Sequence, residues 1–140
     1  MRVNYQQMQL ELVAVKELYL KVVEEAKLKF KFRIEAFCIM NNHVHLIVEP
    51  GIDEDISRIM QWINGVFAVR FNRMMGIRGR FWGERFYSRI IQWLKDYLRT
   101  LEYIEENPVR ANLVRYAVDW LFGSARHRMD RCYDILDAPG

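Results

Sequence analysis

The spacing of apolar residues predicts a helix followed by a β-hairpin in the first third of the chain. Residues 12–30 place apolar side chains near helical spacing, at Leu12, Val15, Leu18, Tyr19, Val22, Val23, Ala26 and Phe30. Residues 32–40 resemble a strand, and residues 43–49 alternate cleanly as a second strand. Asn41 and Asn42 suit a two-residue turn between them, so residues 32–49 are expected to form a hairpin that Pro50-Gly51 ends.

A second amphipathic helix is predicted after the hairpin. Asp53, Glu54 and Asp55 suit its first turn, because carboxylates are stabilised near the positive end of the helix dipole. Gly76 is expected to stop the helix. The predicted buried stripe consists of Ile56, Ile59, Ile63, Phe67, Phe71 and Met74.

The rest of the chain predicts one more strand and one more long helix. Residues 80–92 are aromatic and β-branched enough for a strand or ribbon. A third helix is expected from near Lys95 to Pro108, with a further helical turn through Val114.

This order of elements predicts the fold class. Helix, strand, strand, helix, strand, helix is the split βαβ pattern of a ferredoxin-like α+β sandwich with an antiparallel sheet. Its first strand is short or missing, since only residues 1–10 could supply it, and residues 116–140 form a C-terminal tail with an extra helix. Repeats and linkers are absent from the sequence, so residues 1–140 are expected to form a single domain.

Composition excludes several classes of protein. With 51% hydrophobic and 28% charged residues, the chain is globular rather than disordered. It has neither an apolar run of about 20 residues nor a signal-like N-terminus, so no membrane association is expected. Its two cysteines exclude a disulfide scaffold and a four-cysteine zinc site. They are expected to be reduced, in a cytoplasmic protein.

Positive charge is concentrated in the middle of the chain, although the net charge is only +3. Between positions 58 and 131, fourteen Arg or Lys residues stand against seven Asp or Glu. Within positions 70–89 Glu84 is the single acid, and the basic and aromatic residues are Arg70, Phe71, Arg73, Arg78, Arg80, Phe81, Trp82, Arg85, Phe86, Tyr87 and Arg89. Arginine binds phosphate through two hydrogen bonds and stacks on rings. A solvated, salt-bridged surface is the commoner role of any one of them, but the whole stretch favours nucleic-acid binding.

Two of the three histidines lie close together on the second predicted strand. In His43-Val44-His45 both imidazoles project from one face, about 7 Å apart along the strand, while Val44, Leu46 and Val48 face the core. Two imidazoles on a rigid face can bind a divalent ion and leave positions open for substrate oxygens. An isolated pair of this kind is equally compatible with two hydrogen-bonded histidines beside a turn.

The third helix presents a tyrosine away from its apolar stripe, which consists of Tyr97, Leu101 and Ile104. Tyr103 shares a face with Arg99 and Asn107, one turn away on either side. A tyrosine hydroxyl can act as a covalent nucleophile at a phosphate, although an amphipathic tyrosine at the edge of the core is the commoner case. Pro108 places Asn107 at the helix end.

These segments resemble the single-tyrosine HUH transposases, and in particular their REP-associated tyrosine transposase branch. Residues 38–50, CIMNNHVHLIVEP, resemble the family's segment of two histidines separated by a hydrophobic residue. Residues 81–91, FWGERFYSRII, resemble its aromatic ribbon, and residues 103–114, YIEENPVRANLV, its tyrosine helix. Asp119-Trp120 resembles its C-terminal marker. The resemblance covers roughly residues 9–128 in the same order.

The resemblance implies a function and a site. It makes His43, His45 and Asn107 the ligands of Mg²⁺ or Mn²⁺, and Tyr103 the nucleophile. The family cuts single-stranded DNA beside imperfect hairpins, forms a 5′-phosphotyrosine with a free 3′-OH, and rejoins strands in DNA transposition. The expected partners are single-stranded or hairpin DNA and a second copy in a homodimer. The candidate DNA contacts are Arg70, Arg73, Arg78, Arg80, Arg85, Tyr87, Arg89, Arg99 and Arg110.

The chain departs from the family pattern in two places. Family members begin with a full strand that holds a further histidine, whereas residues 1–10 leave room for a remnant of it. The glycine that commonly follows the tyrosine helix is Asn112 here, and asparagine tolerates left-handed geometry.

Two other functions remain open from the sequence. One is a hairpin-binding module that keeps the basic face without catalysis, acting on DNA or structured RNA. The other is a metal-dependent phosphodiesterase that uses water and forms no covalent adduct with the protein. The enzyme with a tyrosine nucleophile is favoured, because all its candidate catalytic residues are present.

Overall fold

The computed structural model describes residues 13–41, 43–76 and 94–138. Along this part of the chain lie helix α1 (Val13–Lys29), strands β1 (Phe32–Ile39) and β2 (Val44–Pro50), and helix α2 (Ile56–Met75). Helix α3 (Leu94–Glu105) and the short helices α4 (Asn107–Arg110) and α5 (Ser124–Met129) follow, with a 3-10 turn at Ala117–Asp119. The strands predicted at residues 1–10 and 80–92 lie outside the described residues.

The two strands form the predicted antiparallel hairpin, with Phe32 opposite Pro50 and Ile39 opposite Val44. The register shifts between Ile34 and Ala36, at Glu35. Because a bulge adds one residue to one strand, it reverses which side chains of β1 face each side of the sheet. Strand β1 therefore buries apolar side chains on both faces.

Helices α1 and α2 pack on one face of the hairpin and form the main core. The predicted faces of both helices are buried there, and the rings of Tyr19 and Phe67 meet edge to face with centroids 5.3 Å apart. Val44 is buried in this core, and Leu46 and Val48 pack against it partly buried. Met74 was predicted in the buried stripe but is exposed, since it lies in the last turn of α2.

The boundaries of α2 follow from its caps. Asp55 precedes the helix, and its carboxylate accepts a hydrogen bond from the Ser57 N–H at 2.9 Å. Asp53 and Glu54 were expected in the first turn but come before it, and the Glu54 carboxylate accepts from the Lys31 N–H instead. Gly76 ends the helix in the left-handed conformation at φ 68°.

Helix α3 packs on the opposite face of the hairpin through a second, smaller core. There Ile104 is buried with Ala36, Cys38, Met40 and Ile47, and Tyr97, Leu101 and Trp120 pack against them. His43 and His45 have the same strand parity as Ile47, so they lie on the face that α3 covers. The predicted apolar stripe of α3 is confirmed.

The end of α3 differs slightly from the prediction. The helix ends at Glu105 rather than at Pro108, and the following turn, α4, ends at Arg110 rather than at Val114. Pro108 has no N–H to donate to the carbonyl one turn earlier, so the helical hydrogen bonding is interrupted there. Asn112 lies at φ 59°, the left-handed conformation expected for a residue that replaces glycine.

The C-terminal segment covers the edge of β1 that β2 leaves unpaired. The Ile39 N–H donates to the Phe122 carbonyl at 2.8 Å, and Ile34 exchanges hydrogen bonds with Asp137. Ile135 and Leu136 are buried in the main core. Within the described ranges, no helix combines the length and the apolar character needed to cross a membrane.

Candidate functional site

The histidine pair stands at the start of β2, beside the hairpin turn. The rings of His43 and His45 meet nearly perpendicular, at 89°, with centroids 4.6 Å apart. Burial lowers the pKa of His43, and burial followed by the charges of His43 and Arg110 lowers the pKa of His45 to about 4. Both imidazoles are therefore neutral at pH 7, which is the form that binds metal ions.

Helix α3 and the turn after it bring the predicted partners to this pair. The Asn107 Nδ2 lies 3.1 Å from the His45 Nε2. The ring of Tyr103 lies edge to face with that of His45, with centroids 6.2 Å apart. Tyr103 is 55% exposed, whereas the stripe of α3 faces the core. Tyrosine, amide and both imidazoles thus meet within one chain, at a surface open to solvent.

Arg110 lies directly over the tyrosine. Its guanidinium carbon is 4.0 Å from the centroid of the Tyr103 ring, and its Nη2 donates to the Tyr103 backbone carbonyl. A guanidinium stacked on a ring in this way limits the ring's rotation and keeps a positive charge over its face. A phosphate that reached Tyr103 would meet this cation.

Comparison with known proteins identifies the family. Residues 1–107 match the sequence profile of the family described as Transposase IS200 like. The chain belongs to the IS200-like transposase family. The matched residues include His43, His45, Tyr103 and Asn107.

Curated relatives of this chain support its resemblance to the REP-associated branch of the family. A REP-associated tyrosine transposase of Escherichia coli is 29% identical over 110 residues, covering 78% of this chain and 64% of that protein. A relative from Haemophilus influenzae is 27% identical over 105 residues, covering 68% of this chain and 60% of its own length. The chain thus spans somewhat over half the length of these relatives. The resemblance to the REP-associated branch is confirmed.

A solved structure shows the same fold. The structure of a REP-associated tyrosine transposase bound to a REP hairpin superposes with a TM-score of 0.72 at 24% identity, covering 91% of this chain and 76% of that one. The predicted α+β class is confirmed.

Only some of the predicted arginine contacts lie within the residues that the structure describes. Arg73 and Arg99 are exposed, on α2 and α3. Arg70 is engaged in an ion pair with Glu25 of α1, with Nη2 3.0 Å from Oε1, and this hydrogen bond lowers the pKa of Glu25. The predicted contacts Arg78, Arg80, Arg85, Tyr87 and Arg89 lie outside the described residues.

The donor set of this candidate site is suited to a divalent ion. Two neutral imidazoles and an adjacent side-chain amide converge, and such groups bind ions that keep open positions for substrate oxygens. Among residues 13–41, 43–76 and 94–138, three or more His, Cys, Asp or Glu side chains do not cluster as a metal site. The fit therefore depends on Asn107, whose amide can present its oxygen by a half-turn about its last torsion.

Some residues near the site carry roles that the sequence did not reveal. Arg110 was predicted as a DNA contact, but it also stacks on Tyr103, and its spacing of seven residues from Tyr103 was the available signal. The Trp120 Nε1 donates to the Ile39 carbonyl at 2.9 Å and covers the second core. Its partner lies far away in the chain, so no local pattern could reveal it.

Proposed function

We propose that this chain cuts and rejoins single-stranded DNA at hairpin sites through a 5′-phosphotyrosine on Tyr103, as a transposase. The observation that carries the proposal is the meeting of Tyr103, Asn107 and His45 in one chain, with Asn107 Nδ2 at 3.1 Å from His45 Nε2. Residues of these types at one point suit a reaction at a phosphodiester.

The proposed cleavage forms one phosphate ester and breaks another. The Tyr103 oxygen attacks phosphorus and loses its proton, while the bond from phosphorus to the 3′ oxygen breaks and the 3′ oxygen takes up a proton. The product is a 5′-phosphotyrosine with a free 3′-OH. Rejoining is the reverse attack by a 3′-OH, which releases Tyr103 without an external energy source.

His43, His45 and Asn107 are proposed to hold Mg²⁺ or Mn²⁺. When bound, such an ion polarises the scissile phosphate and stabilises charge on the attacking and leaving oxygens. The residues of the chain orient the reacting groups. His45 lies edge to face with the Tyr103 ring and beside the Asn107 amide, and Arg110 keeps a positive charge over that ring.

Hairpin DNA is the proposed substrate. The structurally similar REP-associated tyrosine transposase is bound to a REP hairpin. The exposed cations Arg99 and Arg110, on the helical segment that carries Tyr103, are proposed to contact phosphates near the site, and the exposed Arg73 on α2 is proposed to contact the DNA elsewhere. A cytoplasmic location and a homodimer remain predictions from the sequence.

The test is trapping of the covalent intermediate. Labelled single-stranded hairpin DNA incubated with the protein and Mn²⁺ is expected to give an adduct on a denaturing gel, mapped to Tyr103 by mass spectrometry. Tyr103→Phe is expected to abolish the adduct while hairpin binding persists.

Tyr116→Phe is a matched control for this test. Tyr116 is 57% exposed and has Arg115 over its ring at 5.4 Å, so it resembles Tyr103 without adjoining the histidines. An adduct that maps to Tyr116 contradicts the assignment. Binding without cleavage by the unmutated protein in Mg²⁺ and Mn²⁺ supports the non-catalytic module instead, and cleavage without an adduct supports the hydrolytic phosphodiesterase.

A further inference from the structure

A second polar cluster lies on the side of α3 away from the histidines. Its centre is Glu105, which stands midway between Tyr103 and Asn107 in the sequence and is 13% exposed. One carboxylate oxygen, Oε2, accepts from the Ser124 hydroxyl at 2.6 Å and from the Arg128 Nη1 at 2.7 Å. Charge-assisted hydrogen bonds of this length are among the stronger polar contacts in proteins.

Both partners of Glu105 are also bonded to the backbone of β1. The fully buried Ser124 hydroxyl accepts from the Phe37 N–H at 3.1 Å. The Arg128 Nη2 donates to the Glu35 carbonyl at 3.4 Å, at the point where the strand register shifts. Two polar connections therefore run from β1 to the end of α3, one through a hydroxyl and one through a guanidinium.

These connections link the two parts of the proposed site, which are the histidine pair on the hairpin and the Tyr103–Asn107 segment at the end of α3. Strand β1 pairs with β2, and Cys38 lies opposite His45 in that pairing. The apolar contacts of α3 are made by Tyr97, Leu101 and Ile104, and such contacts are not directional. The hydrogen bonds at Glu105 are directional, so they define the position of the helix end relative to the sheet.

We propose that Glu105, Ser124 and Arg128 act as positioning residues that hold Tyr103 and Asn107 against the histidine pair. This inference rests on the proposed function. None of the three touches the reacting groups, so their effect is on the geometry of attack. We call the hydrogen bonds that join Glu105, Ser124 and Arg128 the clamp. Because a displacement of about 1 Å can slow an oriented reaction by about a hundredfold, loss of the clamp affects the chemical step far more than DNA binding.

The experiment compares three substitutions at Glu105 and Arg128 with one control substitution on α5, the helix that carries Arg128. Glu105→Ala and Arg128→Ala remove clamp hydrogen bonds, and Arg128→Lys keeps the charge. Arg126→Ala is the matched control, because Arg126 pairs with Asp130 and with the Val118 carbonyl and makes no hydrogen bond to α3. Each protein is assayed for single-turnover formation of the Tyr103 adduct at saturating hairpin DNA with Mn²⁺, and separately for hairpin dissociation constant.

The clamp variants are expected to form the adduct about ten to a hundred times more slowly, with little change in hairpin affinity. Arg128→Lys is expected to recover part of the rate, and Arg126→Ala to match the unmutated protein. Equal losses of rate and affinity, or equal losses in Arg126→Ala, overturn the proposal, because both describe general destabilisation.

Hydrogen exchange of the free protein gives a second readout that requires no activity. In Arg128→Ala the backbone amides of residues 103–110 are expected to exchange faster, while those of α2 stay protected. Unchanged exchange there overturns the clamp even if the unmutated protein forms the Tyr103 adduct. If the unmutated protein forms no adduct, the proposed function fails, and the exchange result alone decides the clamp.

Discussion

The side-chain amide of Asn107 lies 3.1 Å from the imidazole of His45, although 62 residues separate them along the chain. The contact requires the hairpin to present His45 on the face that α3 covers. It also requires the break at Pro108 to turn Asn107 toward that face. A strand and a helix end that are distant in sequence therefore share one site.

Replacement of a histidine tests the role of this site in catalysis. His43→Ala is expected to lower the rate of metal-dependent adduct formation by about a hundredfold. Loss of a group that merely supports a metal ligand commonly lowers activity by about ten- to a hundredfold, and loss of a ligand is expected to lie at the upper end of that range. Hairpin affinity should change little, because cations supply most of the binding energy to phosphates. Electrophoretic mobility shifts and trapped adduct measure the two quantities. Equal loss of both in a folded variant contradicts this division of roles.

The arginines of α2 are expected to behave differently from one another. Arg73 is exposed, so Arg73→Ala should weaken hairpin binding and reduce the slope of log affinity against log salt by about 0.7, the value for one phosphate on a single strand. Arg70 is paired with Glu25, so Arg70→Ala should leave the slope unchanged and slightly lower the melting temperature. A salt titration of both variants checks this. A reduced slope for Arg70→Ala would show that DNA displaces the ion pair.

Protonation of His127 is expected to destabilise the fold in mild acid. Burial lowers the pKa of His127, against opposing effects of the Leu121 carbonyl, Asp134 and Asp130, and its ring packs on Phe37 with centroids 4.9 Å apart. The unfolded chain takes up the proton first as pH falls through about 6.5. Stability is therefore complete above that pH and is lost on descent toward the lower folded pKa.

The control for this pH dependence is a variant that cannot titrate at this position. Urea unfolding of His127→Asn between pH 7 and pH 5 should show a shallower loss of stability than the unmutated protein. Some loss should remain, because the pKa values of His43 and His45 are also lowered. An identical pH profile in the variant assigns the effect to other groups.

The elements near the site could be predicted because their signals are local. The Asn41-Asn42 pair predicts the turn, and Gly76 predicts the end of α2 at positive φ. Helical spacing alone separated Tyr103 from the buried stripe of α3, and Pro108 indicated the turn at Asn107. Each of these signals acts within a few residues of its effect.

Long-range polar contacts could not be predicted in the same way. Ser124 bonds to Phe37 across 87 residues, and Asp137 to Ile34 across 103, in a segment without hydrophobic periodicity. The bulge at Glu35 was also missed, because a single extra residue leaves the apolar content of a strand unchanged. The sequence therefore indicated which residues come together around His45, but not the long-range polar contacts between β1 and the C-terminal segment.

Arg110 is expected to matter more for the reaction of Tyr103 than for DNA affinity. Its guanidinium lies 4.0 Å from the Tyr103 ring centroid, whereas Arg115 lies 5.4 Å from that of Tyr116, which makes Arg115→Ala a matched control. Arg110→Ala should slow adduct formation at saturating hairpin DNA by about tenfold or more, because it removes both a cation beside the reacting phosphate and the contact that orients the ring. Arg110→Lys should recover only part of the rate, since an ammonium cannot stack on the ring as a planar guanidinium does. Single-turnover rates and hairpin dissociation constants measured side by side decide the matter: a change confined to affinity would make Arg110 a DNA contact only.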